Sequence, residues 1–148
     1  MTRSTGRGNR MNGSRRWALC LLMAAVLASS LAGQARAESP QEFAQQLSKT
    51  KGVSAVVNLR EGGSLGAIAI ALSPQLVGDR PALEALLAQI GQFAVAQRLR
   101  ATVVTPNQAD NNFVVEKIKG AGVAHVIPRI MAEDVSIKTS RIFLSPTP

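Results

Sequence analysis

The hydrophobic pattern is most regular between Asp79 and Leu99, where it predicts the longest helix of the chain. The apolar residues that recur at the i, i+3, i+4, i+7 spacing of one helical face are Leu83, Leu86, Leu87, Ile90, Phe93 and Ala94. Asp79 is suited to cap this helix, and Pro81 is tolerated in the first turn, where the backbone N–H has no intrahelical partner. The apolar face of this helix must be buried, and the predicted strands before and after it in the chain can pack against it.

A shorter helix is predicted over residues 40–50. Ser39 and Glu42 form the pattern of a capping box, and Pro40 stands at the first helical position. Phe43 and Leu47 lie four residues apart and give this helix an apolar edge.

A strand is predicted from Val53 to Leu59, where Val53, Ala55, Val57 and Leu59 alternate with Ser54, Val56 and Asn58. The Glu61-Gly62-Gly63 turn and a second apolar run, Leu65 to Leu72, complete a β-hairpin. One face of the second strand carries isoleucine and leucine and the other carries alanine. We expect both faces to be buried, with the main helix approaching the alanine face closely.

Shorter elements follow the main helix. Ala101 to Thr105 is a strand stopped by Pro106, and a second helix begins after a polar connection and ends at Gly120. A strand is predicted from Val123 to Ile127, with Pro128 at its edge or end. A last strand lies within 135–144, and the tail 145–148 is expected to be loose because prolines join a ladder poorly.

The predicted element order is therefore α-β-β-α-β-α-β-β. Strands that alternate with helices favour parallel pairing through right-handed crossovers, while the hairpin is antiparallel. The expected fold class is α+β, a single mixed sheet with helices packed mainly on one face, formed by one domain over residues 38–148.

The first 37 residues have the three parts of a signal peptide. Five arginines and no acid precede an apolar run from Trp17 to Leu31, and Ala35-Arg36-Ala37 supplies the small residues of a cleavage site. We expect cleavage after Ala37 and a periplasmic or secreted product with no membrane span. Ser14-Arg15-Arg16 is also half of a twin-arginine signal, so either export route is open.

Removing that segment changes the charge balance. Six of the 17 lysines and arginines precede position 38, so eleven face nine acids and the net charge falls from +8 to +2. This balance argues against a nucleic-acid partner. The single cysteine, Cys20, leaves with the leader, which excludes disulfides, thiol chemistry and cysteine-ligated metals in the remainder.

The residues suited to catalysis are few, and we expect no enzyme, metal or cofactor. His125 is the single histidine and is predicted inside an apolar strand, where a structural role is the usual one. The adjacent acids Glu133 and Asp134 fall in a predicted turn, and no nucleophile elbow is present. A small hydrolase, which would need those acids to converge near His125, is the least favoured alternative.

The polar connection between the third strand and the second helix is the best candidate for binding. It projects at the carboxyl end of a strand, where open α/β sheets bind ligands. The candidate binding residues are Thr105, Asn107, Asp110, Asn111 and Asn112. The same residue types also serve as helix caps and turn formers, and that alternative stays open.

From Gly66 onward the chain contains, in this order, the segments GAIAIALS, PALEALLAQIGQFAVAQRL, ATVVTP, NNFVVEKIKGAGV, VAHVIPRI and SRIFLS. In this order of segments the chain resembles an OmpA-like peptidoglycan-binding domain. The likeness covers about 80 residues, the size of a small domain. The resemblance implies a fold of this order and a cell-wall ligand. The family's ligand motif is not matched, because Pro106 follows Thr105 and Asp110 falls near the position of the family's arginine.

The order of elements from Ser39 to Thr105 also resembles BON-type and secretin-associated periplasmic domains. Together these features predict a non-enzymatic envelope domain that contacts cell-wall material or envelope proteins. Cell-wall binding requires a polar, concave site at 105–112. The alternative, an accessory subunit of a secretion or pilus assembly, requires an exposed apolar patch or sheet edge along 123–130 or the last strand.

Overall fold

The computed structural model describes residues 38–132 and 139–148, and these form a mixed five-stranded β-sheet with helices packed against it. The predicted α+β class is confirmed. The elements in chain order are α1 (Pro40–Ser48), β1 (Val53–Leu59), β2 (Leu65–Leu72), α2 (Pro74–Gly78), α3 (Arg80–Ala96), β3 (Leu99–Thr105), α4 (Gln108–Gly120), β4 (Val126–Ile130) and β5 (Ser140–Pro146).

The strands lie in the order β1-β2-β5-β3-β4. β1 and β2 form the predicted antiparallel hairpin, in which Gly62 and Gly63 adopt positive φ angles in the turn. β5 inserts between β2 and β3 and is antiparallel to both. β3 and β4 are parallel and are joined through α4. The last strand is therefore central, and the two edges of the sheet are β1 and β4.

One face of the sheet carries the core. The fully buried apolar strand residues share a single face because their side chains alternate with those of the opposite face: Ile68, Ile70, Leu72, Ala101, Val103, Ile142 and Leu144. The apolar side of α3 covers them with the predicted residues Leu83, Leu86, Leu87, Ile90, Phe93 and Ala94, all buried. The core is thus one layer between the sheet and its helices.

The alanine face of β2 does not receive the main helix, so that prediction is wrong. Ala67, Ala69 and Ala71 are half-buried, while Ile68 and Ile70 on the other face are completely buried. The larger isoleucine side chains bury more apolar area, so the core forms on their side. The opposite sheet face is left without a helix among the described residues.

The first helix is anchored by its N-terminal cap and by an aromatic contact from its first turn. Ser39 and Glu42 form the predicted capping box: the Glu42 amide donates to Ser39 Oγ, and the Ser39 amide donates to Glu42 Oε2. The Phe43 ring stacks on Phe93 of α3 with centroids 3.8 Å apart. The helix ends two residues earlier than predicted, at Ser48.

The sequence prediction missed one helix, so the predicted element order holds only in part. α2 is a five-residue helix with Ser73 as its N-cap and Pro74 in its first turn. Asp79 caps α3 as expected, accepting from the Ala82 amide. α3 ends at Ala96 rather than Leu99 because Arg98 adopts a positive φ of 54°, which breaks the helix and starts β3.

Two boundaries near the end of the chain also differ. β4 spans Val126–Ile130 rather than 123–127, and Pro128 lies inside it because an edge strand tolerates a missing N–H. The tail predicted to be loose is partly ordered: Ser145 pairs with Arg100 and Pro146 with Leu99, and Thr147 Oγ1 donates to the Arg98 carbonyl.

The predicted signal peptide, residues 1–37, and the acids Glu133 and Asp134 lie outside the described residues. Within the part that is described, no helix combines the length and apolar character needed to cross a bilayer.

A candidate polar cleft at the start of two helices

The polar connection folds into the beginning of α4. Asn107 is the N-cap, and its Oδ1 accepts from the Asp110 amide at 2.8 Å. Its Nδ2 donates to Asp110 Oδ2 at the same distance. The Thr105 hydroxyl is buried and donates to the Asn107 carbonyl at 2.9 Å. The capping alternative is thus correct for Asn107, and the cap also holds the Asp110 carboxylate in place.

An arginine from α3 completes the arrangement. Arg80 Nη2 donates to Asp110 Oδ1 at 2.7 Å. The guanidinium carbon lies 4.4 Å from the centroid of the Phe113 ring, so stacking on the ring fixes the plane of the arginine. Arg80 Nη1 is buried and has no hydrogen-bond partner among the described residues. The arginine therefore retains donor capacity beyond its ion pair.

Arg80, Asn107, Asp110 and Ser140 line a cavity of about 280 Å³, together with Pro74, Val77, Gly78 and Pro106. We call this cavity the polar cleft. The Arg80 side chain is 42% exposed and that of Asp110 is 18% exposed, so the pair is accessible from the solvent. The polar cleft presents a cation and an anion side by side, with an amide next to them.

The five predicted binding residues do not converge. Asn107 and Asp110 line the polar cleft, but Asn111 is completely buried and donates through Nδ2 to the carbonyls of Val103 and Arg129, at 3.3 and 2.8 Å. Its Oδ1 has no hydrogen-bond partner among the described residues. Asn111 thus joins β3 to β4 and does not face a ligand.

The remaining two candidates also lie away from the polar cleft. Asn112 is exposed, and its Oδ1 accepts from Gln108 Nε2 at 2.6 Å. Thr105 is buried beneath the connection. The structure therefore does not bring the five residues together in one cavity, because successive helical residues point in directions about 100° apart.

The sequence prediction missed Arg80 and Ser140. Both come from segments distant in the chain, which the fold brings to the start of α4. A local signal existed only for Arg80, which directly follows the capping Asp79 and so must lie in the first turn of a helix.

A second cavity lies at the opposite end of β3 and is lined by two cationic side chains. Its volume is about 350 Å³, and Arg100, Lys119 and His125 line it with Ala124, Val126, Ile127, Thr147 and Pro148. We call it the basic pocket. His125 is exposed and precedes β4, so its predicted place inside a strand is wrong, although its carbonyl accepts from the Ala101 amide at 2.9 Å.

Neither cavity resembles a metal centre. Over residues 38–132 and 139–148, no three histidine, cysteine or acidic side chains gather in a way that could hold a metal ion. The described side chains that line the basic pocket include no aspartate or glutamate beside His125.

One further ion pair connects α3 and α4 outside both cavities. Lys117 Nζ donates to Glu84 Oε1 at 2.7 Å. This hydrogen bond, with smaller contributions from the charges of Glu84 and Glu116, raises the pKa of Lys117 above its ordinary value of 10.5.

No protein-family model, curated protein or solved structure matches this chain. The OmpA-like resemblance stays a prediction, and the case for a function rests on the site itself.

Proposed function

We propose that this chain is an exported, non-enzymatic domain of the cell envelope that binds a zwitterionic group of cell-wall peptide through the polar cleft. The observation that carries the proposal is the Arg80–Asp110 pair, held at 2.7 Å beside a cavity and still partly exposed. A cation next to an anion complements a ligand that carries a carboxylate and an amine together, as the diamino acid of a peptidoglycan stem does.

The arrangement also changes how Asp110 affects an anionic ligand. An isolated acid at this position would repel a ligand carboxylate, but Asp110 accepts from both Arg80 and Asn107. Its charge is compensated, and Arg80, whose side chain is 42% exposed, can donate to a ligand carboxylate through guanidinium N–H groups other than the buried Nη1. The departure from the family's ligand motif is therefore compatible with a ligand of the same chemical class, held by a different set of side chains.

Co-sedimentation of the protein with purified peptidoglycan sacculi tests the proposal. The wild-type protein should pellet with sacculi, and R80Q should lose most of that binding because it removes the cation of the polar cleft. N112A is the matched control, since Asn112 was a sequence candidate that the fold directs away from the polar cleft. Equal pelleting of R80Q and wild type, or no pelleting of the wild type above a control protein, would contradict the proposal.

The protein-interaction alternative is supported by a separate observation. β4 is an edge strand, and its Ile127 and Ile130 are exposed by 37% and 45%. The same sacculi experiment separates the two functions, because an interaction through β4 leaves R80Q and the wild type alike.

A further inference from the structure

The face of the sheet that the helices leave open has an ordered pattern of side chains. The register places five residues, one on each strand, in a continuous row across this face: Val56, Ala69, Phe143, Thr102 and Ile127. Val56 is 56% exposed at one edge and Ile127 is 37% exposed at the other. Four of the five are apolar. We call these five residues the apolar row.

Arginines lie on both sides of the apolar row. Arg141 and Arg129 belong to the neighbouring row, with Val104 between them. Arg100 lies two residues from Thr102 along β3 in the other direction, and its Nε donates to Ser145 Oγ at 3.0 Å. The described strands place no aspartate or glutamate on this face.

The basic pocket continues the open face at its Arg100 end. Arg100 and Ile127 belong to both, while Lys119 and His125 complete the pocket wall. The apolar row, with arginines on both sides, therefore ends beside the basic pocket, which could receive an anionic side chain of a partner. Charge complementarity specifies a partner that is apolar along its centre and acidic on its flanks.

We propose that the open face docks an acidic amphipathic helix of a partner protein, with one carboxylate of that helix in the basic pocket. The dimensions agree with this occupant. Five strands span about 19 Å, the length of about 13 helical residues. Each of these arginines lies two residues, about 7 Å, along its strand from the apolar row. This distance places the guanidinium groups beside the flanks of a helix that lies along the apolar row.

Two other occupants fit the pattern less well. A second copy of the chain would bring Arg100, Arg129 and Arg141 of one face against the same cations of the other, which is unfavourable. A membrane surface needs protruding apolar side chains, whereas Ala69, Thr102 and Phe143 are short or half-buried in the sheet.

Fluorescence anisotropy with a designed, labelled 14-residue peptide tests the proposal. The peptide carries leucine along one helical face and glutamate on both flanks. We expect saturable binding that weakens with added salt and falls at least tenfold in R129Q/R141Q and several-fold in R100Q/K119Q. R60Q, which removes an arginine from the exposed β1–β2 turn, is the matched control and should bind like the wild type.

Each other outcome contradicts the proposal. Equal binding of a scrambled peptide with the same composition would show that charge alone is recognised, and equal binding of R129Q/R141Q and R60Q would place the site elsewhere. Absence of peptide binding would also overturn the proposal. This holds whether or not phosphatidylglycerol vesicles, added in a separate co-sedimentation assay, capture the protein. R80Q should keep full peptide binding, so failure here and failure of the polar cleft are distinguishable.

Discussion

Arg80 Nη2 lies 2.7 Å from Asp110 Oδ1, although the two residues are separated by 30 positions in the chain. The contact joins the first turn of α3 to the first turn of α4 and forms one wall of the polar cleft. Both side chains remain partly exposed, so a ligand can reach the pair even though it also connects two helices.

The Arg80–Asp110 pair should contribute little to stability. Ion pairs that are partly exposed add at most about 1 kcal/mol, because solvent screens them. We therefore expect R80Q to lower the free energy of unfolding by no more than about 1 kcal/mol in a urea titration. A larger loss would mean that the pair is structural, and any binding defect of R80Q would then reflect unfolding.

The contact between α3 and α4 depends on Gly91. A Cβ at this position would overlap the Cβ of Ala121, while the Ile118 carbonyl lies 3.8 Å away. G91A should destabilise the fold by about 1–3 kcal/mol, the usual cost of overpacking. Chemical denaturation measures the loss.

Two variants test that explanation. G91A/A121G removes the overlapping methyl group and should recover most of the stability lost in G91A. G120A is the control, because a Cβ at Gly120 meets open space, and it should be neutral or stabilising by less than about 1 kcal/mol. Equal losses in G91A and G91A/A121G would contradict the proposed overlap.

Asn111 should matter for stability and not for binding. N111A removes both donors that join β3 to β4, and burial makes their loss expensive, about 1–3 kcal/mol. Thermal or urea denaturation checks this, with N112A expected within about 0.5 kcal/mol of the wild type. If N111A were as stable as N112A, the two hydrogen bonds would contribute nothing measurable.

Lys117 should titrate at a higher pH in the wild type than in E84Q, because Glu84 raises its pKa above 10.5. A raised pKa in the folded state means that the pair stabilises the fold below the unfolded pKa. This contribution is lost as the pH rises through the folded pKa. NMR titration of the Lys117 side chain measures the shift. E116Q is the control and should change the pKa less, since the charge of Glu116 is the smallest cause; the reverse order would contradict the assignment.

The parts of the fold that follow local chemistry could be predicted from the sequence. Ser39, Asp79 and Asn107 cap the helices that begin after them, as their side chains favour. The five-residue α2 has the same signal at Ser73-Pro74 but is too short for a hydrophobic period. The sequence places Pro128 at the edge or end of a strand and cannot decide between them, because tertiary pairing sets the edge position of β4.

Only part of the polar cleft could be predicted from the sequence, because tertiary packing brings the rest of its residues together. Asn107 and Asp110 are neighbours in sequence, whereas Arg80 reaches them only through the packing of α3 on α4. The helical period did contain a signal for Asn111, which lies three and seven residues before the buried Val114 and Ile118 and so shares their face.

Calorimetric titration of the protein with a soluble muropeptide measures ligand binding at Arg80 and Asp110 directly. We expect saturable binding by the wild type and by N112A, at least tenfold weaker binding by R80Q, and weaker binding when the free carboxylate of the peptide stem is amidated. Undetectable binding to the wild type, or affinities that are the same in R80Q and for the amidated peptide, would contradict a zwitterion site at Arg80 and Asp110.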